Sequence, residues 1–200
     1  MTLREQLVEV GRRLQAARHV TATEGNLSVR LDENRVLITP SGREKGSLSS
    51  EDMVVIDLEG RTESGAEPSS ERHVHLETYK TRTDVQAVIH AHPRYSTGWA
   101  MARRALPWQT HPEVVVVLGQ VALVPYLTPS TRELGQAVAE ALGSCNACLM
   151  ANHGAVAVGA TLQEAFQRME ILESFAHSAM VATALGGPVA LDADELAQLP

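Results

Sequence analysis

Two elementary patterns share this chain without taking strict turns, and that mixture limits the fold more than anything else in it. Helix-spaced apolar residues recur in blocks. Leu3, Leu7, Val10 and Leu14 follow a Thr2-Leu3-Arg4-Glu5 capping box. Ser69 or Ser70 can cap a helix from Glu71 to about Arg82, Pro93 can open one to about Arg104, and Ser130-Thr131-Arg132-Glu133 one to about Leu142. Thr161-Leu162-Gln163-Glu164 starts a last helix to about Leu185, stopped by Gly186-Gly187-Pro188. Between these stand short strand-like runs: Asn26 to Leu31 and Arg35 to Thr39 around Asp32-Glu33-Asn34, then Val54 to Leu58, Val85 to His90, Val114 to Leu118, Val121 to Val124, Ala147 to Ala151 and Ala155 to Val158. Arg61 to Pro68 reads as a polar loop. Without strict strand–helix–strand alternation, the expectation is a single α/β domain over 1–200, its mixed or mostly antiparallel sheet packed between helices, with a tail from about 187.

Length and composition agree. The 200 residues suit one core, and 44% hydrophobic with 20% charged residues is ordinary for a globular chain. A net charge of −7 leaves no electrostatic footprint for nucleic acid, though a local basic pocket for a phosphate remains open. No apolar run approaches the roughly 20 residues that span a bilayer, and Met1 to Leu14 lacks the apolar block of a signal peptide. The expected location is cytoplasmic. Cys145 and Cys148 form a C-x-x-C leading into a strand-like run, and read as partly buried thiols rather than a redox pair. Lys45 and Lys80, the two lysines, fall in polar segments expected to be exposed.

Chemistry concentrates in the histidines. His90-Ala91-His92 stands at a strand end, where residues two apart point to one side and two imidazoles can converge on a metal. His153, in Ala-Asn-His-Gly, ends another strand. Three imidazoles with an open position make a catalytic zinc site, although buried hydrogen-bonded histidines are equally common. His73 and His75 lie in a helix, where residues two apart splay, so they do not chelate together. His75 shares a helical face with Glu71 and either supports it or packs. His19 and His177 show no partner. Glu71 sits at a helix N-terminus, where the dipole stabilises a carboxylate. Thr23-Glu24-Gly25-Asn26, Thr39-Pro40-Ser41-Gly42 and Ser69-Ser70 are small polar segments that can turn backbone N–H groups toward an anion, as many plain turns also can.

Taken in order, Gly25-Asn26-Leu27-Ser28, Thr39-Pro40-Ser41-Gly42, Pro68-Ser69-Ser70-Glu71, His90-Ala91-His92 and Asn152-His153-Gly154 resemble the class II aldolase/adducin family. The resemblance runs from about Leu3 to Leu185. With Pro125-Tyr126-Leu127-Thr128 and Thr131-Arg132-Glu133-Leu134, it is most like the L-fuculose-1-phosphate aldolase branch.

The resemblance implies that His90, His92 and His153 ligate Zn²⁺. It implies that Glu71 ligates at rest and acts as acid and base with substrate, and that Thr23, Asn26, Ser41, Gly42, Ser69 and Ser70 hold a substrate phosphate. It further implies a homotetramer acting on a small phosphorylated sugar. The branch brings a tyrosine from a neighbouring subunit near the aldehyde end, where this chain carries His111, a candidate catalytic residue whose imidazole can donate a proton in its place or equally a surface histidine before Pro112. It places a further tyrosine near the C-terminus, where Gly186 to Pro200 has none. Relatives sharing the zinc site include an L-ribulose-5-phosphate 4-epimerase, generally with aspartate at the position of Glu71, a methylthioribulose-1-phosphate dehydratase and the non-catalytic adducin heads.

Overall fold

A computed structural model describes the whole chain, residues 1–200. Eight strands form one sheet: β1 (Asn26–Arg30), β2 (Arg35–Ile38), β3 (Val54–Asp57), β4 (Thr62–Ser64), β5 (Ala87–Ala91), β6 (Val121–Val124), β7 (Ala147–Met150) and β8 (Gly154–Gly159). Their order is β4-β3-β2-β1-β5-β8-β7-β6, and every neighbouring pair is antiparallel except β6 with β7. Seven helices complete the chain: α1 (Leu3–Ala16), α2 (Arg72–Thr81), α3 (Arg94–Met101), α4 (Pro112–Val117), α5 (Arg132–Ala141), α6 (Leu162–Ala184) and α7 (Ala193–Ala197).

Strand alternation divides the interior into two cores. Leu27 and Val29 of β1, Ala87, Ile89 and Ala91 of β5 and Ala155 and Ala157 of β8 face α1 and α6. Val88 of β5 and Val156 and Val158 of β8 face α2 and α5, where Val74, Leu76, Leu134 and Val138 meet them. Asn26 and Ser28 share one parity on β1, and His90 shares that of Val88 on β5. These three polar residues therefore point to the α2 face, and the register sets Asn26 directly beside His90.

The α/β class with a mostly antiparallel sheet agrees with expectation, and most elements begin where their caps do. Thr2 and Glu5 form the capping box of α1, Thr131 accepts from the Leu134 N–H, and Thr161 accepts from the Glu164 N–H. Other expectations are corrected. Val114 to Leu118 is helical, not a strand: Pro112 opens α4 with its φ already set, and Val114 is buried against the α6 side of the sheet. Tertiary packing there overrides the β preference of a valine run. Arg61 to Pro68 holds β4, an edge strand with every residue exposed, which shows no apolar alternation. Neither Ser69 nor Ser70 caps α2 by its side chain; Glu71 itself is the N-cap, and its N–H reaches the Ser69 hydroxyl. The tail carries α7, with an Asp192–Glu195 capping box. Lys45 is buried, not exposed.

One polar contact ties α6 to the segment after His92. The Glu173 carboxylate accepts from the Tyr95 N–H, the Ser96 N–H and the Ser96 hydroxyl, at 2.8–2.9 Å. It thereby satisfies the first turn of α3 and faces its positive dipole end. Glu173→Ala is expected to lower stability by roughly 2 kcal/mol, the range for charge-assisted hydrogen bonds left unmade. Urea unfolding checks this through a lower midpoint at unchanged slope.

Candidate metal centre

Glu71, His90, His92 and His153 come together, their ligand atoms all within 4.8 Å of one another. The fold brings them from separate places. His90 is the fourth residue of β5, and His92 lies just past its end. His153 occupies the turn between β7 and β8, and Glu71 stands at the head of α2. Asn152 makes the β7–β8 turn with φ +58°, in the left-handed region that asparagine tolerates better than most residues. Its backbone N–H bonds Ala100, and Arg103 donates to its side-chain oxygen at 2.7 Å.

The geometry fits a cation. Nε2 of His90 lies 2.9 Å from the nearer Glu71 oxygen and 3.1 Å from Nε2 of His92, while Nε2 of His153 is 3.1 Å from the other Glu71 oxygen. Four ligands about 2.1 Å from one tetrahedral ion stand about 3.4 Å apart, close to these spacings. The Nε2 atoms of His90 and His92 face each other at 3.1 Å, a spacing that one ring's N–H or a shared cation bridges. The Glu71 Oε1, though near His153, has no properly directed hydrogen bond. The outer shell suits neutral imidazole ligands: Nδ1–H of His90 donates to the Ala155 carbonyl at 3.0 Å, leaving Nε2 free to ligate. Nδ1 of His92 lies 3.5 Å from the Glu24 carboxylate. Burial, together with His90 and His153, pushes His92 down to about 4, so its ring is neutral near pH 7. Burial works to raise the Glu71 carboxyl, but His90 and His153 outweigh it and hold the group well below the usual carboxylate range. His90 is fully buried, whereas the side chains of His153, Glu71 and His92 are 12%, 13% and 19% exposed, so the centre opens on one side. A catalytic ion needs such an opening and a structural ion does not.

Gly154 lets the β7–β8 turn approach. A Cβ there would sit 2.5 Å from Cδ2 of His92 and 2.6 Å from the Ala91 carbonyl. Gly154→Ala is therefore expected to displace His92, cost about 1–3 kcal/mol by overpacking and weaken the metal site. Thermal unfolding together with metal content after dialysis checks both effects.

The remaining site residues fall into two groups. Thr23, Ser41, Gly42 and Ser70 are exposed, and Gly42 takes φ +66° with open space beside it. Their segments are laced together: Ser41 N–H bonds Glu67, Ser69 N–H bonds Thr39, Pro40 pairs with Pro68, and the Thr39 hydroxyl accepts from Leu27 N–H. Lys45 lies beneath them and donates to the carbonyls of Thr23 and Arg43, and burial pushes its ammonium down to about 8. Asn26, by contrast, is buried, with its side chain turned to Glu71 and His75. His111 is exposed, packs its edge on Phe175 and stands outside the four-ligand group. His177 stacks on Tyr95 at 4.0 Å, and His19 accepts from the His92 N–H through its carbonyl. Cys145 and Cys148 are buried free thiols, and burial pushes Cys148 up to about 12, which leaves it inert. The contacts of Asn26 and Lys45, and those of His75 with Ser28 and Asn26, depend on long-range register and were not foreseeable from the chain, which offered only that His75 could support Glu71 across one helical turn.

The family described as "Class II Aldolase and Adducin N-terminal domain" matches residues 5–180. A 3-oxo-tetronate 4-phosphate decarboxylase of Haemophilus influenzae is 34% identical over 177 residues, covering 86% of this chain and 84% of its own. An L-fuculose phosphate aldolase of Methanococcus vannielii is 36% identical over 174 residues, covering 86% and 92%. The crystal structure of L-fuculose-1-phosphate aldolase from Thermus thermophilus superposes with a TM-score of 0.82 at 34% identity, over 94% of this chain and 97% of that one. The four-ligand centre on this sheet and the match over most of the chain have one reading: the protein belongs to the class II aldolase and adducin N-terminal domain family.

Proposed function

We propose that the protein is a Zn²⁺-dependent lyase that breaks a carbon–carbon bond in a small phosphorylated ketose, with L-fuculose 1-phosphate as the substrate. The observation that carries this is the open centre of three imidazoles and one carboxylate beside a cluster of small polar loops. Cleavage between C3 and C4 leaves an electron pair that must be held as an enediolate. A divalent cation bound by His90, His92, His153 and Glu71 supplies the Lewis acidity that stabilises such a charge. The lysine alternative, a Schiff base, has little support even though Lys45 is buried: its Nζ is engaged by two carbonyls beneath the loops.

Glu71 is proposed to move the proton. It lines the opening and stands ionised at the α2 N-terminus, so it would first take up a proton, from the substrate hydroxyl or from water at the open side, and then deliver that proton to C3 to release dihydroxyacetone phosphate and become ionised again. Thr23, Ser41, Gly42, Ser69 and Ser70 are proposed to hold the phosphate and so orient the reacting carbons. Asn26 faces Glu71 more directly than the loops, and its share in phosphate binding is proposed through its neighbourhood rather than through a free amide. The small phosphorylated substrate, the cytoplasmic location and the homotetramer remain proposals of the same reading. No helix is long and apolar enough to cross a membrane.

A second reading rests on what stands around the centre. Retro-aldol cleavage needs a group to take the C4 hydroxyl proton on the aldehyde side, and no tyrosine stands beside the four converging side chains within one protomer. Tyr79 is buried, Tyr95 is stacked on His177 and Tyr126 is exposed on the surface, while His111 sits on Phe175. Decarboxylation of 3-oxo-tetronate 4-phosphate needs no such group. The C1–C2 bond breaks, carbon dioxide leaves, the electron pair enters the same enediolate, and protonation at C2 yields the same dihydroxyacetone phosphate.

The deciding assay follows dihydroxyacetone phosphate release from each substrate, before and after chelation and after Zn²⁺ is restored. Release from L-fuculose 1-phosphate with L-lactaldehyde, lost on chelation and regained with Zn²⁺, is the expected result. Release with carbon dioxide from the oxo acid alone establishes the second reading. Metal-loaded protein that releases the product from neither substrate overturns both.

A further inference from the structure

We propose that Tyr79, Ser28, His75 and Asn26 form a one-way hydrogen-bond relay that aims the Glu71 carboxylate at the metal centre, with His75 as its positioning residue. All four are buried on the α2 face of the sheet, at 0–3% exposure. The contacts run in sequence. The Tyr79 hydroxyl is 2.8 Å from the Ser28 hydroxyl, which is 2.7 Å from Nδ1 of His75. Nε2 of His75 meets the Asn26 amide oxygen, and the Asn26 amide nitrogen is 3.4 Å from the Glu71 Oε2.

The chemistry of the last partner sets the direction of every bond before it. An ionised carboxylate only accepts, so Asn26 presents its NH₂ to Glu71 and its oxygen to His75. His75 must then donate from Nε2. A fully buried ring with only neutral partners stays neutral, so Nδ1 carries a lone pair and accepts from Ser28. The Ser28 oxygen, having given its hydrogen to the ring, accepts from Tyr79. Four donors thus point the same way, and each polarises the next. The final hydrogen bond falls on Oε2, the Glu71 oxygen that also faces His90. Oε1 is left toward His153 without a directed bond. The relay therefore fixes which way the carboxylate plane lies between two ligands.

A single-tautomer imidazole is useful here for a geometric reason. His75 lies one helical turn past Glu71 on α2, and Ser28 lies two residues past Asn26 on β1. One ring spans the helix–sheet gap and locks both elements in a common register, using one donor and one acceptor at fixed separation. An apolar residue of equal size would fill the space and leave Asn26 free to turn its amide away from Glu71.

The kinetic part of the test rests on the function proposed above, whereas two other readouts do not. In ¹⁵N-labelled protein loaded with Zn²⁺, His75 is expected as a single neutral Nε2–H tautomer, and Ser28→Ala is expected to yield mixed tautomers. In competition with a chromophoric chelator, His75→Leu is expected to bind Zn²⁺ about 10- to 100-fold more weakly, as loss of an outer-shell partner does elsewhere. His75→Gln, whose side-chain amide can still donate toward Asn26, is expected to recover part of that loss. With an active substrate, His75→Leu should lower kcat at nearly unchanged KM. A wild-type His75 that is an Nδ1–H tautomer or an imidazolium overturns the relay. So does a folded His75→Leu protein with wild-type Zn²⁺ affinity. Should the metal-loaded protein turn over neither substrate, the functional reading fails while the tautomer and affinity results still decide the relay. Should His75→Leu not fold, the wild-type and Ser28→Ala spectra decide it.

Discussion

Replacing His90 by alanine is expected to empty the metal centre and to lower lyase activity by at least about 10³-fold. His90 is the only ligand of the four that is fully buried. Its neighbours also make it the best oriented, since Ala155 holds Nδ1 and the β-sheet pairs the residue with Asn26 on one side and Val156 on the other. Without it, His92 and His153 remain, both on turns and both partly exposed, with a single carboxylate. Three ligands of that kind hold an ion far more weakly than four, and the open side admits water to compete. Metal analysis of dialysed protein and the product-release assay check the two halves of the expectation. His90→Ala with one Zn²⁺ per chain and undiminished turnover would remove the centre from the mechanism. His111→Ala, which changes an exposed ring on Phe175, is the informative comparison because its side chain does not touch the ligands.

The convergence of His90 and His92 was legible because strand geometry is local. His90 and His92 are two apart at a strand end, and that spacing alone sends both imidazoles one way. The caps of α1, α5 and α6 were legible for the same reason, each being a side chain that reaches a backbone group within three residues. What escaped depends on distance along the chain. Asn26 faces Glu71 only because β1 pairs with β5 in the register that sets Asn26 beside His90, and nothing in either segment announces that register. Its small polar neighbours place Asn26 in a candidate phosphate loop, and the register adds that its buried side chain is directed at Glu71.

Lys45 shows the same limit in another form. Between Glu44 and Gly46 it reads as surface, but Gly11 of α1 carries no side chain, and a Cβ there would lie 2.6 Å from the Lys45 carbonyl. That close approach of helix to turn is what covers the lysine. The valine run of α4 misleads in the opposite sense. Its composition favours a strand, and it became a helix because a proline precedes it and the face bearing Val114 finds a partner in the core. Local chemistry therefore located the side chains that converge, while tertiary contact decided how they are held.

Glu71→Gln separates holding the ion from moving the proton. The amide keeps the shape of the carboxylate and one oxygen that can ligate or accept from Asn26, so Zn²⁺ should remain bound, though less tightly. What the amide lacks is a site that takes and returns a proton near neutral pH. Loss of a positioned acid and base ordinarily costs about 10²- to 10⁴-fold, and because the substrate contacts are elsewhere the loss should fall on kcat rather than KM. A sharper readout avoids the departing fragment altogether. Wild-type protein given dihydroxyacetone phosphate alone in deuterated water should exchange the carbon-bound hydrogen that Glu71 serves, since removing that proton generates the same enediolate whichever fragment the natural substrate sheds. The Glu71→Gln protein should bind dihydroxyacetone phosphate and exchange at a rate lower by about the same 10²- to 10⁴-fold factor. If the variant retains Zn²⁺ and exchanges at the wild-type rate, the proton moves through another group, and Glu71 is reduced to a ligand. If exchange and turnover fall together while metal and KM persist, the carboxylate that the α2 N-terminus presents beside three histidines is the acid and base of the reaction.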